Sequence, residues 1–499
     1  MSDHFISIER AENDLLDCAA YLAERIRSGD GHAEAMKAII PQFLAKNDVD
    51  LAAELANAID DPHSRDKFLI AVAVKCAEID DEDYGLQLAD AIEDHGLQSQ
   101  AFERIGLILA GKGKIERASE VGDLMGHSDF VDAAIAVHEA SAGNEVAAEE
   151  TIVNIEFPTA RVSALQQIGA SQIDAGKTAE GIATIEEAVA AAGEIEHDEE
   201  QIRTLCELGN VFLDAKANDK AIETYDLARS IAETLTNQHR ERFLVMCAMG
   251  FLNAGSIELA DRTLDLVTDK TQMASAMLAF ARYYWAKDEK DEAVDSLEEA
   301  YAIIRSQRDT ETRDSRARNA LFTTISTQFA AFEKPERAVE AGLENADPNE
   351  QMNALVQIAQ IMTIKKQDAL ARDTLSQIED DSSRLMALIG MADAKRKLDD
   401  APAAIEILDE AASLAETVPQ FSARSEVLNE IADRFVALEQ PEKVRAVALE
   451  NLNVIAQIRD ETSRAAAIAN LAAIYSSAGI EPQENEKIAM RGFAVQATV

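Results

Sequence analysis

The chain is 499 residues long and carries 92 Asp and Glu against 47 Lys and Arg, a formal net charge of −45. That excess argues against DNA, RNA or an anionic lipid surface as partner, because binding to each rests on cationic contacts. Hydrophobic residues make up 47% of the chain but aromatics only 5%, with nine prolines, a composition that suits closely packed helices, and no apolar run reaches the ~18 residues that a membrane span needs.

In chain order, residues 8–28 come first, with Leu15, Leu16, Ala19, Leu22 and Ile26 along one side, which predicts an N-terminal capping helix within 1–31. From residue 32 to 479 one pattern recurs: a small residue or Arg, two residues, an aliphatic, two residues, another aliphatic, then Gly or Ala. Clear copies are RVSALQQIGASQIDAG (161–176), RFLVMCAMGFLNAG (242–255) and RAAAIANLAAIYSSAG (464–479). Aligned on its first residue, the pattern starts units at 32, 65, 98, 130, 161, 201, 242, 273, 318, 351, 384, 424 and 464.

Apolar residues fall at +4 and +7 of each unit and often at +11, one face of a helix. A second apolar stripe begins about twenty residues in, as in Ala221, Tyr225 and Ala228, after a short punctuation of Gly or polar residues. Each unit therefore reads as helix, turn, helix. Units starting at 161, 201, 273, 384 and 424 are longer, by about two helical turns, which predicts long second helices that project as ridges without breaking the register. No linker rich in Pro, Gly or Ser interrupts the array. Residues 484–496 close it with a weak helix, in a C-terminal cap and tail over 480–499.

The unit starting at 201, with Leu205, Leu208, Gly209 and Phe212 followed by Ala221, Tyr225 and Ala228, resembles the tetratricopeptide (TPR) family. The resemblance covers nearly the whole chain in degenerate form, with Leu, Met or Phe in place of the family's first aromatic and Ala often in place of Gly. It implies an all-α fold, an α-solenoid of about thirteen stacked antiparallel helix-turn-helix repeats wound into a right-handed superhelix. One helix pair cannot bury its own stripe, so neighbours must stack.

The same resemblance implies that first-helix positions +2, +5, +9 and +12 line a concave groove. In the central units these are Ser163, Gln166, Ala170 and Ile173; Arg203, Cys206, Asn210 and Leu213; Ser275, Leu278, Arg282 and Trp285; Ala320, Thr323, Thr327 and Ala330; and Asn353, Val356, Gln360 and Thr363. This stretch is nearly free of acids, which places the acidity on second helices and turns. Candidate partner-binding residues are Trp285, Arg282, Asn210, Gln166, Thr323, Thr327, Asn353 and Gln360. Trp285 is the only Trp, and Trp, Tyr and Arg are enriched at interface hot spots. The Lys and Asn set with which some family members clamp a C-terminal carboxylate is absent.

His63, His95, His127, His197 and His239 each lie two to four residues before a unit start, and His32 sits on one. They read as polar residues near helix ends and as an edge that charges as pH falls through about 6.5. Asp61, Asp314, Asp380 and Asp460, each four residues before an Arg, read as helix caps paired with Arg65, Arg318, Arg384 and Arg464. Cys206 and Cys247 share position +5 of successive units, and with Cys18 and Cys76 they form no CxxC pair, so neither a disulfide framework nor a zinc site is expected.

No nucleotide-binding, metalloprotease or serine-nucleophile motif is present, so no enzyme, cofactor or metal is expected. With no basic start and apolar run at the N-terminus, a cytoplasmic location is expected. The sequence reads as a protein-protein interaction scaffold or adaptor that holds a partner segment in its groove, where neutral amides suit an extended peptide or a helix. Two alternatives stand beside it: an architectural protein that self-assembles through homotypic contacts, and a chaperone or secretion adaptor.

Overall fold

The computed structural model describes residues 5–126, 128–307 and 315–497, and those residues form α-helices joined by short turns. The N-terminal helices are α1 (Ile8–Ala11) and α2 (Leu15–Ala23). Pairs follow: α3 (Gly29–Ala45) with α4 (Val49–Asn57), α5 (Pro62–Glu78) with α6 (Glu82–Asp90), α7 (His95–Gly111) with α8 (Ile115–Leu124), and α9 (Asp129–Ser141) with α10 (Glu145–Asn154). Next are α11 (Pro158–Asp174) with α12 (Thr178–Ala192), α13 (Asp198–Asp214) with α14 (Asn218–Thr234), and α15 (Arg240–Asn253) with α16 (Ile257–Leu264). Then come α17 (Lys270–Ala286) with α18 (Lys290–Arg305), α19 (Ser315–Ala331) with α20 (Pro335–Leu343), and α21 (Pro348–Ile364) with α22 (Asp368–Ser376). The last are α23 (Asp381–Lys397) with α24 (Ala401–Ala415), α25 (Phe421–Ala437) with α26 (Pro441–Ile455), and α27 (Glu461–Ala478) with α28 (Glu484–Gln496). By internal packing the chain divides into two compact units, residues 1–108 with 366–499, and residues 109–365.

The turn inside each pair sets the register. Asn47, Asp80, Gly113, Gly143, Gly176, Lys216, Gly255, Asp288, Glu333, Lys366, Asp399, Glu439 and Gly479 all have positive φ, one per pair. In most of these turns the next residue's N–H reaches back five residues, as from Ala217 to the Phe212 carbonyl (2.8 Å) and from Lys334 to Phe329 (2.9 Å). This is the 6→1 bond of a Schellman motif, which satisfies a helix-end carbonyl and needs a left-handed residue. The left-handed residue stands fifteen after the unit start throughout, which corrects two starts: the units placed at 130 and 242 begin at 128 and 240. The core agrees, since Leu244, Cys247, Ala248 and Phe251 are fully buried whereas Met246 and Met249 are half-buried. Cys247 therefore stands at +7, not at the +5 position of Cys206.

Second helices fall into two length classes. Those of the units starting at 161, 201, 273, 384 and 424 have 15 to 17 residues, and the rest of the internal ones 8 to 10. Much of the acidity sits there, and ion pairs tie successive second helices: Lys220 to Glu186, Arg337 to Glu298, and Lys443 to Asp409. Each half-exposed pair is worth at most about 1 kcal/mol. Among the largest buried rings between first and second helices is Tyr225, held between Gly209 and Gly250, where an added Cβ would stand 2.5 Å from the ring. Glycine at these two helical positions permits a close approach that the ring fills.

In the unit formed by residues 1–108 and 366–499, the first and last helices pack on each other. Helices α2 and α3 lie against α27, and α28 also touches α2. Gln42 Nε2 donates to the Ala469 carbonyl (2.6 Å), and Thr462 Oγ1 donates to the Gly31 carbonyl (3.3 Å). The N-terminal segment departs from the expected single capping helix over 8–28. Asp14 caps a second start, accepting from Leu16 and Asp17 N–H, and all nine residues of α2 are buried. A cap needs a polar outer face. Helix α2 has none because α27 covers it, and its one acid, Asp17, is paired with Arg10 (2.8 Å).

The expected Asp–Arg devices are half present. Asp61, Asp380 and Asp460 cap α5, α23 and α27, whereas Arg65 pairs with Asp66 and Glu93, Arg384 with Asp381, and Arg464 reaches the Ile458 carbonyl. An N-cap carboxylate is already occupied by backbone N–H groups, so the Arg four residues on turns elsewhere: Arg384 and Arg464 to the loop before their helices, Arg65 to Asp66 and to Glu93 after α6. Asp314 and His127 lie outside the described residues.

Two consequences are measurable. Replacing Lys216 or Glu333 with Gly relieves the cost of a left-handed L-residue against the greater unfolded-chain freedom of Gly. A gain of about 0.5–1 kcal/mol each is expected, read as a higher urea midpoint at unchanged slope. His32, part-buried with Nε2 unpaired, has its pKa lowered by burial, with Asp60 opposing weakly. Below the ordinary value of 6.5 the unfolded chain takes a proton that the folded chain resists. Stability from this group is thus present above about 6.5 and lost as pH falls below it. The melting temperature of His32→Asn should fall less between pH 7 and pH 5 than that of the unaltered protein.

Candidate functional site

A helix turns once per 3.6 residues, so +4, +7, +8 and +11 share one face while +2, +6, +9 and +13 share the opposite one. On the six first helices α11, α13, α15, α17, α19 and α21, every residue at +2, +6, +9 and +13 is exposed or half-buried. Positions +5 and +12 lie about 70–90° to one side of the centre of that stripe, toward the neighbouring pair. At +5, Cys206, Val245, Leu278, Thr323 and Val356 are buried, and Gln166 is half-buried.

This geometry sorts the sequence candidates. Asn210, Arg282, Thr327 and Gln360 stand at +9 and Asn353 at +2, all on the open stripe. Asn210 Oδ1 accepts from Tyr225 (2.7 Å), Arg282 Nε donates to Gln328 (2.7 Å), and Gln357 donates to Asn353 (3.0 Å). Thr327 donates to its own helix at Thr324 (2.9 Å). Burial pushes the pKa of Arg282 down. Thr323 is a correction. It is 5% exposed, with its hydroxyl donating to Glu350 (2.8 Å), so it fastens α19 to α21 and lines no open surface. Gln166, at the same +5 position, sits at the flank between helices.

Trp285, at +12, lies at the end of α17 with its ring stacked on Phe332 (centroids 4.2 Å, 9° between planes). Lys290 Nζ stands 5.3 Å from the ring centre. A cavity of about 420 Å³ opens beside the pair, walled by α18 residues Asp291, Val294 and Asp295 and by the α19–α20 turn at Glu333 and Lys334. The indole thus faces the turn edge, away from the +2, +6, +9 and +13 stripe.

Two residues that sequence reasoning passed over stand on the open stripe, Met246 at +6 and Met249 at +9 of α15. The two-residue error in the unit start placed them in the core. The signal that finds them is the left-handed Gly255, from which the unit counts back to 240. In these six helices the stripe holds the acids Asp174, Glu207 and Asp214 and the bases Arg203, Arg242 and Arg282. It is charge-balanced within a chain of net charge −45.

The sulfurs of Cys206 and Cys247 lie 4.0 Å apart across α13 and α15, 3% and 0% exposed. The contact with Cys206 and burial push the Cys247 thiol up, which leaves it protonated and unreactive. Among the described residues no group of three or more His, Cys, Asp or Glu is placed to hold a metal ion, and no helix is long and apolar enough to cross a membrane.

No family model matches the chain, and no curated protein matches it. Among solved structures it is similar to Ton1535 from Thermococcus onnurineus NA1, at 16% identity and TM-score 0.26 over 70% of this chain and 97% of that one. It is similar to yeast Tom70 at 14% identity and TM-score 0.24 over 90% of this chain and 97% of that one. A third likeness is to the APC/C hetero-tetramer Cut9–Hcn1, at 15% identity and TM-score 0.22 over 87% and 88% of the two chains. The fold itself, an all-α array of TPR-like helix pairs, rests on the thirteen turns of the described residues, the +7 and +8 positions buried in every unit, and the +4 and +11 positions buried in most.

Replacing Phe332 with Ala removes the ring that covers Trp285. A red shift in the emission of the single Trp is expected, with a loss of about 3 kcal/mol in stability. Unshifted emission would mean that the stack does not shield the indole.

Proposed function

We propose that the chain is a non-catalytic interaction scaffold whose first-helix stripe over residues 158–364 holds an extended or helical segment of a protein partner. The observation that carries this reading is the contrast in charge. A strongly acidic chain keeps one continuous face charge-balanced, with exposed amides at Asn210, Asn253 and Asn353, a half-buried one at Gln360, and two adjacent half-buried methionines. Amides satisfy main-chain groups of a bound segment, and methionine adapts its shape to apolar side chains. Solubility does not require such a face, since the remainder of the surface already carries the charge.

Arg282, Asn210, Thr327, Asn353 and Gln360 remain the proposed contacts, joined by Met246 and Met249. Trp285 and Gln166 border the stripe and act through packing. Self-assembly through the long second helices is the competing reading. Affinity capture from the native extract separates the two, with Met246→Asp/Met249→Asp as the altered bait. Loss of a co-purified protein at unchanged helicity and melting supports the stripe. Equal capture by the altered bait contradicts it, and recovery of the chain alone as a defined oligomer favours self-assembly.

A further inference from the structure

The seam between the chain's first and last helices holds a cavity of about 630 Å³, within the unit formed by residues 1–108 and 366–499. One wall is the loop from α2 to α3, the other the loop and first turn of α27 with the end of α28. Four arginines line it, Arg25 and Arg27 from the first wall and Arg459 and Arg464 from the second, against two acids, Asp460 and Glu461. In a chain with almost two acids for every base, this is a local reversal of charge.

The four guanidinium groups are not equivalent. Arg25 is fixed, its Nη1 donating to the Tyr21 carbonyl (2.6 Å) and its plane lying 3.3 Å over the Tyr21 ring. Arg464 is fixed by the Ile458 carbonyl (2.9 Å) and Gln496 (3.3 Å). Arg27 and Arg459 are exposed, and among the described residues neither has an ion pair or hydrogen-bond partner. Of the acids, Asp460 is occupied as the N-cap of α27, accepting from Ser463 N–H (2.7 Å). Arg25 is in addition ion-paired with the buried side chain of Glu24 (3.7 Å). Two fixed cations and two unpaired ones therefore surround the space, and with Glu24, Asp460 and Glu461 counted one positive charge remains in excess.

We propose that this cavity binds a small phosphate-bearing anion that bridges the two ends of the chain. A phosphomonoester carries about −1.5 to −2 charge near pH 7 and three acceptor oxygens, enough to engage the unpaired guanidinium groups of Arg27 and Arg459 together, whereas a single carboxylate supplies one charge and two oxygens. Guanidinium groups meet phosphate with paired N–H bonds, and the start of α3 at the cavity wall adds a positive dipole end. The volume falls within the range of small-molecule sites, roughly 300–1,000 Å³. A ligand held by Arg27 and Arg459 at once ties the loop before α3 to the loop before α27, and so tightens the seam made by Gln42 with Ala469 and Thr462 with Gly31.

The test is titration of the full chain with inorganic pyrophosphate at constant ionic strength, followed by calorimetry and by hydrogen–deuterium exchange. Saturable binding is expected, with slowed exchange at residues 25–28 and 458–464. The double variant Arg27→Gln/Arg459→Gln removes two exposed side chains without described partners, so its melting without pyrophosphate should match the unaltered chain while its affinity falls by about tenfold or more. Absence of saturable binding, equal affinity in the double variant, protection at other segments only, or tighter binding of citrate than of pyrophosphate would overturn the proposal. The exchange experiment on the unaltered chain decides the matter even if the double variant folds poorly.

Discussion

Every helix pair among the described residues is built on one turn, and each turn holds a residue in the left-handed region fifteen positions after the unit start. The chain meets this requirement with Gly in five turns and with Asn, Asp, Lys or Glu in the other eight. It accepts the strain because the turn fixes the angle at which the two apolar stripes meet. From that angle follow the +7 and +8 positions buried in every unit, the +4 and +11 positions buried in most, and, over α11 to α21, the opposite +2, +6, +9 and +13 stripe left open.

Stacking leaves an array with an apolar face at each end. Here the two ends lie in the same compact unit and cover each other, α2 and α3 against α27, with hydrogen bonds from Gln42 and Thr462 across the join. That contact explains an otherwise odd sequence feature, the run Leu15 to Ala23 with apolar residues on all sides. A helix apolar all round is a buried helix, and the burying partner lies more than four hundred residues away in the chain.

Much of this was legible in the sequence because it is local. The helix pairs, the two classes of second helix and the capping role of Asp61, Asp380 and Asp460 follow from periodicity and helix-end chemistry. The two register errors share one cause. The starts expected at Phe130 and Arg242 follow the first-helix pattern, whereas the constraint acts at the turn, where Gly143 and Gly255 set the count back to 128 and 240. Shifting the second of these by two positions hid Met246 and Met249. Thr323 was misplaced because a TPR-like groove pattern takes +5 as open, while in this chain the neighbouring pair covers it. Packing between the chain ends has no periodic signal and was invisible.

The central claim is that the charge-balanced first-helix stripe, and no second-helix surface, receives a partner. Site-specific photo-crosslinking in the native extract tests it most directly, with a benzophenone side chain placed at Met249 in one protein and at the exposed Leu227 of α14 in another. Crosslinks from position 249 to a distinct protein, absent from position 227, are the expected result. Crosslinks from position 227 alone, or from 249 only to other copies of the chain, would contradict it.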